Sequence, residues 1–130
     1  MSVPSSSSEW PKLLNIAQAE TRQTLQALPA KLRTQAEPLP VTFEPRPTQD
    51  LIEDGVEPDT LGLFVGEPFP ESASGALQLP AQIILYLENI WDAVEANEAD
   101  YRREIRATLL HELGHYLGLD EIDLEDRGLG

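Results

Sequence analysis

ADYRREIRATLLHELGHYLG, residues 99–118, is the most informative part of the chain. Apolar side chains recur in it every four positions, at Tyr101, Ile105, Leu109 and Leu113. This periodicity predicts an amphipathic helix of about five turns over residues 99–117. Gly118 follows at the position where helices commonly end on glycine.

The two histidines of the chain both lie on this predicted helix, on the side opposite the apolar stripe. His111 and His115 are about 40° apart around the axis and about one turn apart along it, so both imidazoles can bind one metal ion. Glu112 points off the line of the two ligands, but it can reach a water on the metal. The string HELGH, residues 111–115, matches HExxH, in which the histidines bind zinc and the glutamate is the base. We expect zinc, although such a site also suits iron or cobalt.

A catalytic zinc site needs a third protein ligand and an open position for water. The chain has no cysteine and no third histidine, so this ligand must be a carboxylate. Glu104 shares the histidine face, but it lies about 10 Å up the helix from His111, too far for one coordination sphere. The acidic residues after the turn at Gly118 remain as candidates: Asp120, Glu121 and Asp123. The spacing of the extended pattern HExxHxxGxx(H/D) selects Glu121, and the other acids are expected to be solvated.

Composition narrows the classes of protein that fit. A chain of 130 residues has the size of one domain. Nine Lys and Arg against 23 Asp and Glu give a formal net charge of −14, so we expect neither nucleic acid nor membrane as a partner. The absence of cysteine excludes disulfides, thiolate metal sites and cysteine nucleophiles. We see no apolar run near the ~20 residues of a membrane span and no secretory signal, and therefore expect a cytoplasmic location.

The first third of the chain is predicted to be mostly helical. Residues 1–8 are polar and of low complexity, and we expect a disordered tail there, ahead of a single domain at residues 9–130. Apolar residues recur every three or four positions over residues 9–28, which predicts an amphipathic helix. Pro29 interrupts this helix but suits the first turn of a second one, over residues 29–36.

Three short segments have the composition of β-strands: residues 41–44, 61–65 and 81–87. The acidic loop at residues 48–60, with one helical turn at residues 49–53, either gates a cleft or is solvated. Gly62 inside a strand predicts a bulge or a close approach of another backbone. Helical structure resumes at Asn89, so the order is helix, strands, helix, and the predicted fold class is α+β.

Three motifs resemble those of one known family. DTLGLF, residues 59–64, resembles its aromatic-ended LGLY strand, and LPAQIILY, residues 79–86, resembles its LPDRIxLY strand. HELGHYLGLDE, residues 111–121, resembles HExxHHxGxxD. On these motifs, residues 9–130 resemble the short bacterial zincin-like metallopeptidases.

The resemblance implies a minimal zincin-like fold: an N-terminal helix, a small mixed sheet of three to four strands, the long HExxH helix and a short C-terminal segment. It implies His111 and His115 as zinc ligands and Glu112 as the catalytic base. The chain departs from the family where Tyr116 replaces a frequent histidine and Glu121 a frequent aspartate. Met1 is the only methionine, so the Met-turn of a full metzincin is absent.

The leading hypothesis is a zinc-dependent peptide hydrolase acting on a peptide or protein. Zinc would lower the pKa of a bound water to ~7, and Glu112 would take its proton and pass it to the leaving amine. The substrate would add as a strand to residues 81–87 or 61–65. Candidates for stabilising the oxyanion are Tyr86, Arg102 and Arg103.

Two alternatives belong to other classes of protein. One is a zinc-binding interaction module without hydrolysis, in which the metal stabilises a small fold. Glu112 argues against it, because a structural site needs no carboxylate beside the first histidine and favours a closed fourth position. The other is a metal-free helical adaptor.

Overall fold

The computed structural model describes residues 5–66 and 81–117 of the chain. The chain forms both helices and strands, and every helix and strand predicted within these residues is present. The elements are α1 (Ser5–Gln26), α2 (Ala30–Ala36), β1 (Val41–Glu44), α3 (Gln49–Glu53), β2 (Gly62–Val65), β3 (Gln82–Tyr86), α4 (Leu87–Ala93) and α5 (Glu98–Leu117). The α+β class predicted from the sequence is confirmed.

Several element boundaries differ from the prediction by one to four residues, among them the starts of α1 and α4. Helix α1 begins at Ser5, so it includes part of the segment assigned to a tail, where a serine run carries no apolar periodicity to signal a helix. Helix α4 begins at Leu87, two residues early, because β3 ends at Tyr86 and the chain turns directly into the helix. A single domain at residues 9–130 stays a prediction.

The sheet is mixed and has β3 at its centre among the described strands. The order is β1-β3-β2, with β1 parallel and β2 antiparallel to β3. Both edges of β3 are therefore occupied, so the prediction that a substrate could add to residues 81–87 is wrong. Within residues 5–66 and 81–117, β1 and β2 each pair on one side only. Of the two segments predicted to receive a substrate, β2 is therefore the one whose outer edge can accept another strand.

Helix α5 packs across one face of this sheet and forms the core with α1. Its buried positions include Tyr101, Ile105, Leu109 and Leu113, which is the stripe predicted from the sequence. These side chains join one apolar cluster with Leu13 and Ala17 of α1 and with Ile83 and Leu85 of β3. None of the helices in the described ranges is long and apolar enough to cross a membrane.

Polar contacts fix α1 against the first half of α5. The hydroxyl of Tyr101, which is fully buried, donates to the carbonyl of Leu13 at 2.9 Å. Arg102 pairs with Glu20 of α1 and with Glu98 of α5, each at 3.2 Å. Burial raises the pKa of Tyr101, because a buried phenolate would lose its hydration.

Replacing Tyr101 by phenylalanine should lower stability at neutral pH by about 1 kcal/mol, the usual value of one buried hydrogen bond. The raised pKa means that folded protein holds the phenolic proton that unfolded chain releases, so this stability is present below pH ~10 and falls as pH rises. Above that pH the wild type should lose up to about 1.4 kcal/mol per pH unit through this residue, a loss that Tyr101→Phe escapes. Urea unfolding at pH 7 and pH 11 measures both effects; equal alkaline losses in the two proteins would contradict the expectation.

Candidate metal centre

The second half of α5 presents three metal-ligating side chains together. His111, Glu112 and His115 each offer one ligand atom, and these atoms all lie within 4.8 Å of one another. The two imidazole rings are 4.6 Å apart between centroids. Both histidines are exposed, as expected for the side of the helix opposite the apolar stripe. The sequence prediction that α5 brings these residues to one place is therefore consistent with the structure.

Glu112 differs from the two histidines because it is buried. Its residue exposure is 8 %, and its Oε1 lies 3.3 Å from Nδ1 of His115. The two residues are about one helical turn apart, and the contact uses one nitrogen of the imidazole. The other nitrogen of that ring can therefore bind a second partner. The carboxylate is thus held in one place between the helix and the sheet while the imidazoles reach outward.

Gly62 of β2 lets the sheet approach α5 at this point. A Cβ atom at Gly62 would lie 2.6 Å from Cγ2 of Thr108, 3.3 Å from Cδ2 of Leu85 and 3.4 Å from Cγ of Glu112. A Cβ atom essentially never comes within 3.0 Å of a heavy atom in a residue that is not its chain neighbour. Of the two predictions made for this glycine, the structure shows a close approach, and the approaching atoms belong to side chains.

A cleft of about 360 Å³ opens between β2 and α5 beside these residues. The strand contributes one wall and consecutive turns of the helix contribute the other. The lining residues are Leu61, Gly62, Glu104, Ala107, Thr108, His111 and Glu112. A substrate in this cleft would therefore lie against His111, Glu112 and the start of the edge strand.

A family comparison agrees with this geometry. The model of zincin-like metallopeptidases matches residues 36–129, which is more than half of the chain. The chain belongs to the zincin-like metallopeptidase family. A comparison with curated proteins finds no match. The resemblance predicted from the strand and helix motifs is confirmed, and the matched range includes both walls of the cleft.

Tyr116, the residue that follows His115, packs into the fold. It is 6 % exposed, and its ring centroid lies 5.7 Å from that of Phe64 on β2. Burial raises its pKa. In this zincin-like metallopeptidase the residue therefore holds the last turn of α5 against the strand, one residue beyond His115.

The backbone that enters β2 is fixed by Asn89, which is 4 % exposed. Its side-chain nitrogen donates to the carbonyls of Pro58 and Thr60, each at 2.8 Å. Arg46 donates to the Asn89 side-chain oxygen at 2.7 Å and pairs with Glu88 and Asp92 on α4. Nothing in the sequence pattern singled out Asn89, because its partners are backbone atoms 29 and 31 residues away.

The structure places the other predicted site residues elsewhere. Glu104 is not in the histidine group, as its distance along α5 predicted, but it lines the cleft. The candidates for the third ligand lie outside the described residues: Asp120, Glu121 and Asp123. Their selection therefore stays a prediction.

None of the three oxyanion candidates lines the cleft. Tyr86 follows Leu85, whose side chain meets Gly62 beside α5, and successive side chains of a strand point to opposite faces. Burial, and then the charge of Glu44, raise the pKa of Tyr86. Arg102 and Arg103 form ion pairs near the start of α5, two to three turns before His111. The strand register keeps Tyr86 out of the cleft, and the two arginines are engaged in ion pairs outside its lining.

Substituting Gly62 by alanine should destabilise the protein by about 1–3 kcal/mol, because the new Cβ forces Thr108 to move and presses on Leu85. Thr108→Ser removes the methyl group that the new Cβ would meet first. The double variant should therefore be more stable than the sum of the two single effects predicts. Urea unfolding of all four proteins measures this coupling and cancels the effect of alanine on the unfolded chain. Additive effects, within about 0.5 kcal/mol, would show that the contact is absent.

Proposed function

We propose that this chain is a zinc-dependent peptide hydrolase in which His111 and His115 hold the ion and Glu112 is the catalytic base. The observation that carries the proposal is the group of three side chains within 4.8 Å, open to a cleft, in a member of the zincin-like family. The cytoplasmic location and the peptide or protein substrate stay predictions.

The donor set fits zinc. Two imidazole nitrogens from adjacent turns of one helix are typical ligands of this ion, and a carboxylate commonly completes such a set. We propose Glu121 as that carboxylate, on the spacing of the motif. When bound, zinc acidifies a coordinated water and polarises a carbonyl group.

Glu112 is placed to move protons. Its buried carboxylate lies beside His115 and lines the cleft, so it can accept a proton from the attacking water and then donate that proton to the leaving amine. Burial limits the number of positions that the carboxylate can take, and a fixed base is the more effective one. The same residue separates this proposal from a purely structural zinc site, which has no use for a base.

The edge strand β2 offers the substrate its position. Leu61 and Gly62 line the cleft, and the outer edge of β2 has free backbone groups among the described strands. An extended peptide that adds to this edge passes the histidine pair with its backbone fixed by hydrogen bonds. The side chains of this peptide then meet the lining residues of α5.

Elemental analysis tests the metal site. After zinc loading and desalting, the wild type should hold close to one zinc per chain, and His115→Ala and Glu121→Ala should lose most of it. Asp120→Ala, Asp123→Ala and, as a control on the same helix, Arg106→Ala should retain it. A wild type that holds no zinc after loading would overturn the proposal and leave the adaptor hypothesis.

Glu112→Gln tests catalysis separately from binding. This variant keeps the size of the side chain and removes the base, so it should hold zinc like the wild type and cleave a peptide library about 10²–10⁴ times more slowly. Mass spectrometry of the library measures the rates, and elemental analysis of the same samples measures zinc. Stoichiometric zinc with no cleavage by the wild type would favour the interaction module instead.

A further inference from the structure

The cleft carries a second carboxylate that the proposed reaction does not use. Glu104 lies two turns before His111 on α5, is half-buried and lines the cleft together with Ala107 and Thr108. Seven residues of helix separate it from His111, about 10 Å along the axis. It is thus at the far end of the cleft from the histidine pair.

Thr108 holds this carboxylate in a fixed direction. The Thr108 residue is 7 % exposed, and its Cγ2 methyl faces Gly62 across the gap between helix and strand. With the methyl group against the strand, the hydroxyl points along the helix and donates to Oε2 of Glu104 at 3.1 Å. The Glu104 side chain therefore loses less freedom when it binds a ligand than an exposed glutamate would.

Glu104 has no cation beside it in the part of the chain that the structure describes. The two arginines that precede it on the helix pair elsewhere: Arg102 with Glu20 and Glu98, and Arg103 with Asp100. Glu112 adds a second acidic group to the same cleft. A half-buried carboxylate with this surrounding attracts a positive charge more strongly than a solvated one does.

The direction of β2 brings a bound peptide past Glu104. Gly62 lies opposite Thr108 and Glu112, whereas Phe64, two residues on, contacts Tyr116 one turn further along α5. Strand and helix therefore run in the same sense. A peptide on the outer edge of β2 spans the ~10 Å from His111 to Glu104 with about three residues, at ~3.3 Å each.

We infer that Glu104 is a specificity-determining residue that selects peptides with a basic side chain about three residues from the cleaved bond. The ammonium of lysine or the guanidinium of arginine would donate to the Glu104 oxygen atoms, with Thr108 as the positioning residue. This inference rests on the proposed peptide hydrolysis for its substrate. Its test is a binding measurement, which does not need cleavage.

Fluorescence anisotropy measures the binding of labelled octapeptides to the full zinc-loaded chain carrying Glu112→Gln, so that bound peptides stay intact. The peptides are blocked at both ends and carry one lysine at each position in turn, or norleucine as its neutral match. At the best position lysine should bind about tenfold more tightly than norleucine. Adding Glu104→Gln should bring this ratio close to one, and Thr108→Val should lower it.

Three controls separate the effect of Glu104 from the general acidity of the chain, from damage to the cleft and from a terminal ammonium. Glu37→Gln removes one exposed carboxylate that does not line the cleft, and it should keep the tenfold ratio. Unchanged affinity for norleucine peptides in Glu104→Gln shows that the cleft is intact. A norleucine peptide with a free amino terminus distinguishes a terminal ammonium: if it alone shows the Glu104-dependent gain, the assignment to a side chain is overturned.

The inference and the proposed function fail in different ways. Equal binding of lysine and norleucine peptides, a lysine preference that survives Glu104→Gln, or no binding of any peptide overturns the inference. Cleavage by the chain with Glu112 intact, without a lysine preference, overturns only the inference. Glu104-dependent binding of lysine peptides without any cleavage overturns only the proposed hydrolysis.

Discussion

The absence of a side chain at Gly62 is the constraint on which the site depends. Because Gly62 has no side chain, α5 can lie so close that the methyl group of Thr108 occupies the space a Cβ would need, with Glu112 in contact beside it. The same approach buries the carboxylate of Glu112 and fixes the methyl group of Thr108. The burial of Glu112 and the orientation of Thr108, which holds Glu104, therefore have the same cause.

Helix α5 serves the core and the candidate site with different faces. Tyr101 and Ile105 are fully buried against α1 and the sheet, whereas His111 and His115 are exposed about two to four turns further on. The core residues and the histidines do not compete for space, because the helical repeat of 3.6 residues per turn places them on separate sides of α5. The helix is anchored at its start by α1 and near its end by the Phe64–Tyr116 contact. These two contacts fix the position of the helix segment that carries the histidines.

The sequence predicted local features well and long-range ones poorly. Periodicity predicted the faces of α5, and Gly62 within a strand pattern predicted a close approach, since both are read from neighbouring residues. The central place of β3 could not be predicted, because strand order depends on the pairing of Val41 with Ile83 and of Gly62 with Leu85. The exclusion of Tyr86 from the cleft follows from that register.

Other features carried no sequence signal at all. The helix that starts at Ser5 extends into serines without periodicity. Asn89 acts through backbone carbonyls, which any sequence offers, so only coordinates reveal its partners. The sequence shows that Glu104 is acidic, but only the structure shows that it lies opposite the strand that forms the other wall of the cleft.

The indole groups of this chain are placed where they report on helix packing. The edge of the Tyr101 ring meets Trp91 at 5.3 Å between centroids, and Lys12 Nζ lies 5.2 Å from the Trp91 ring centre. Trp10, the other tryptophan, packs at the border of the same apolar cluster, and neither indole lines the cleft. The intrinsic emission of the protein therefore follows the docking of α1 onto α4 and α5. A molecule entering the cleft leaves both fluorophores in unchanged surroundings, so occupancy has to be read from a probe on the ligand.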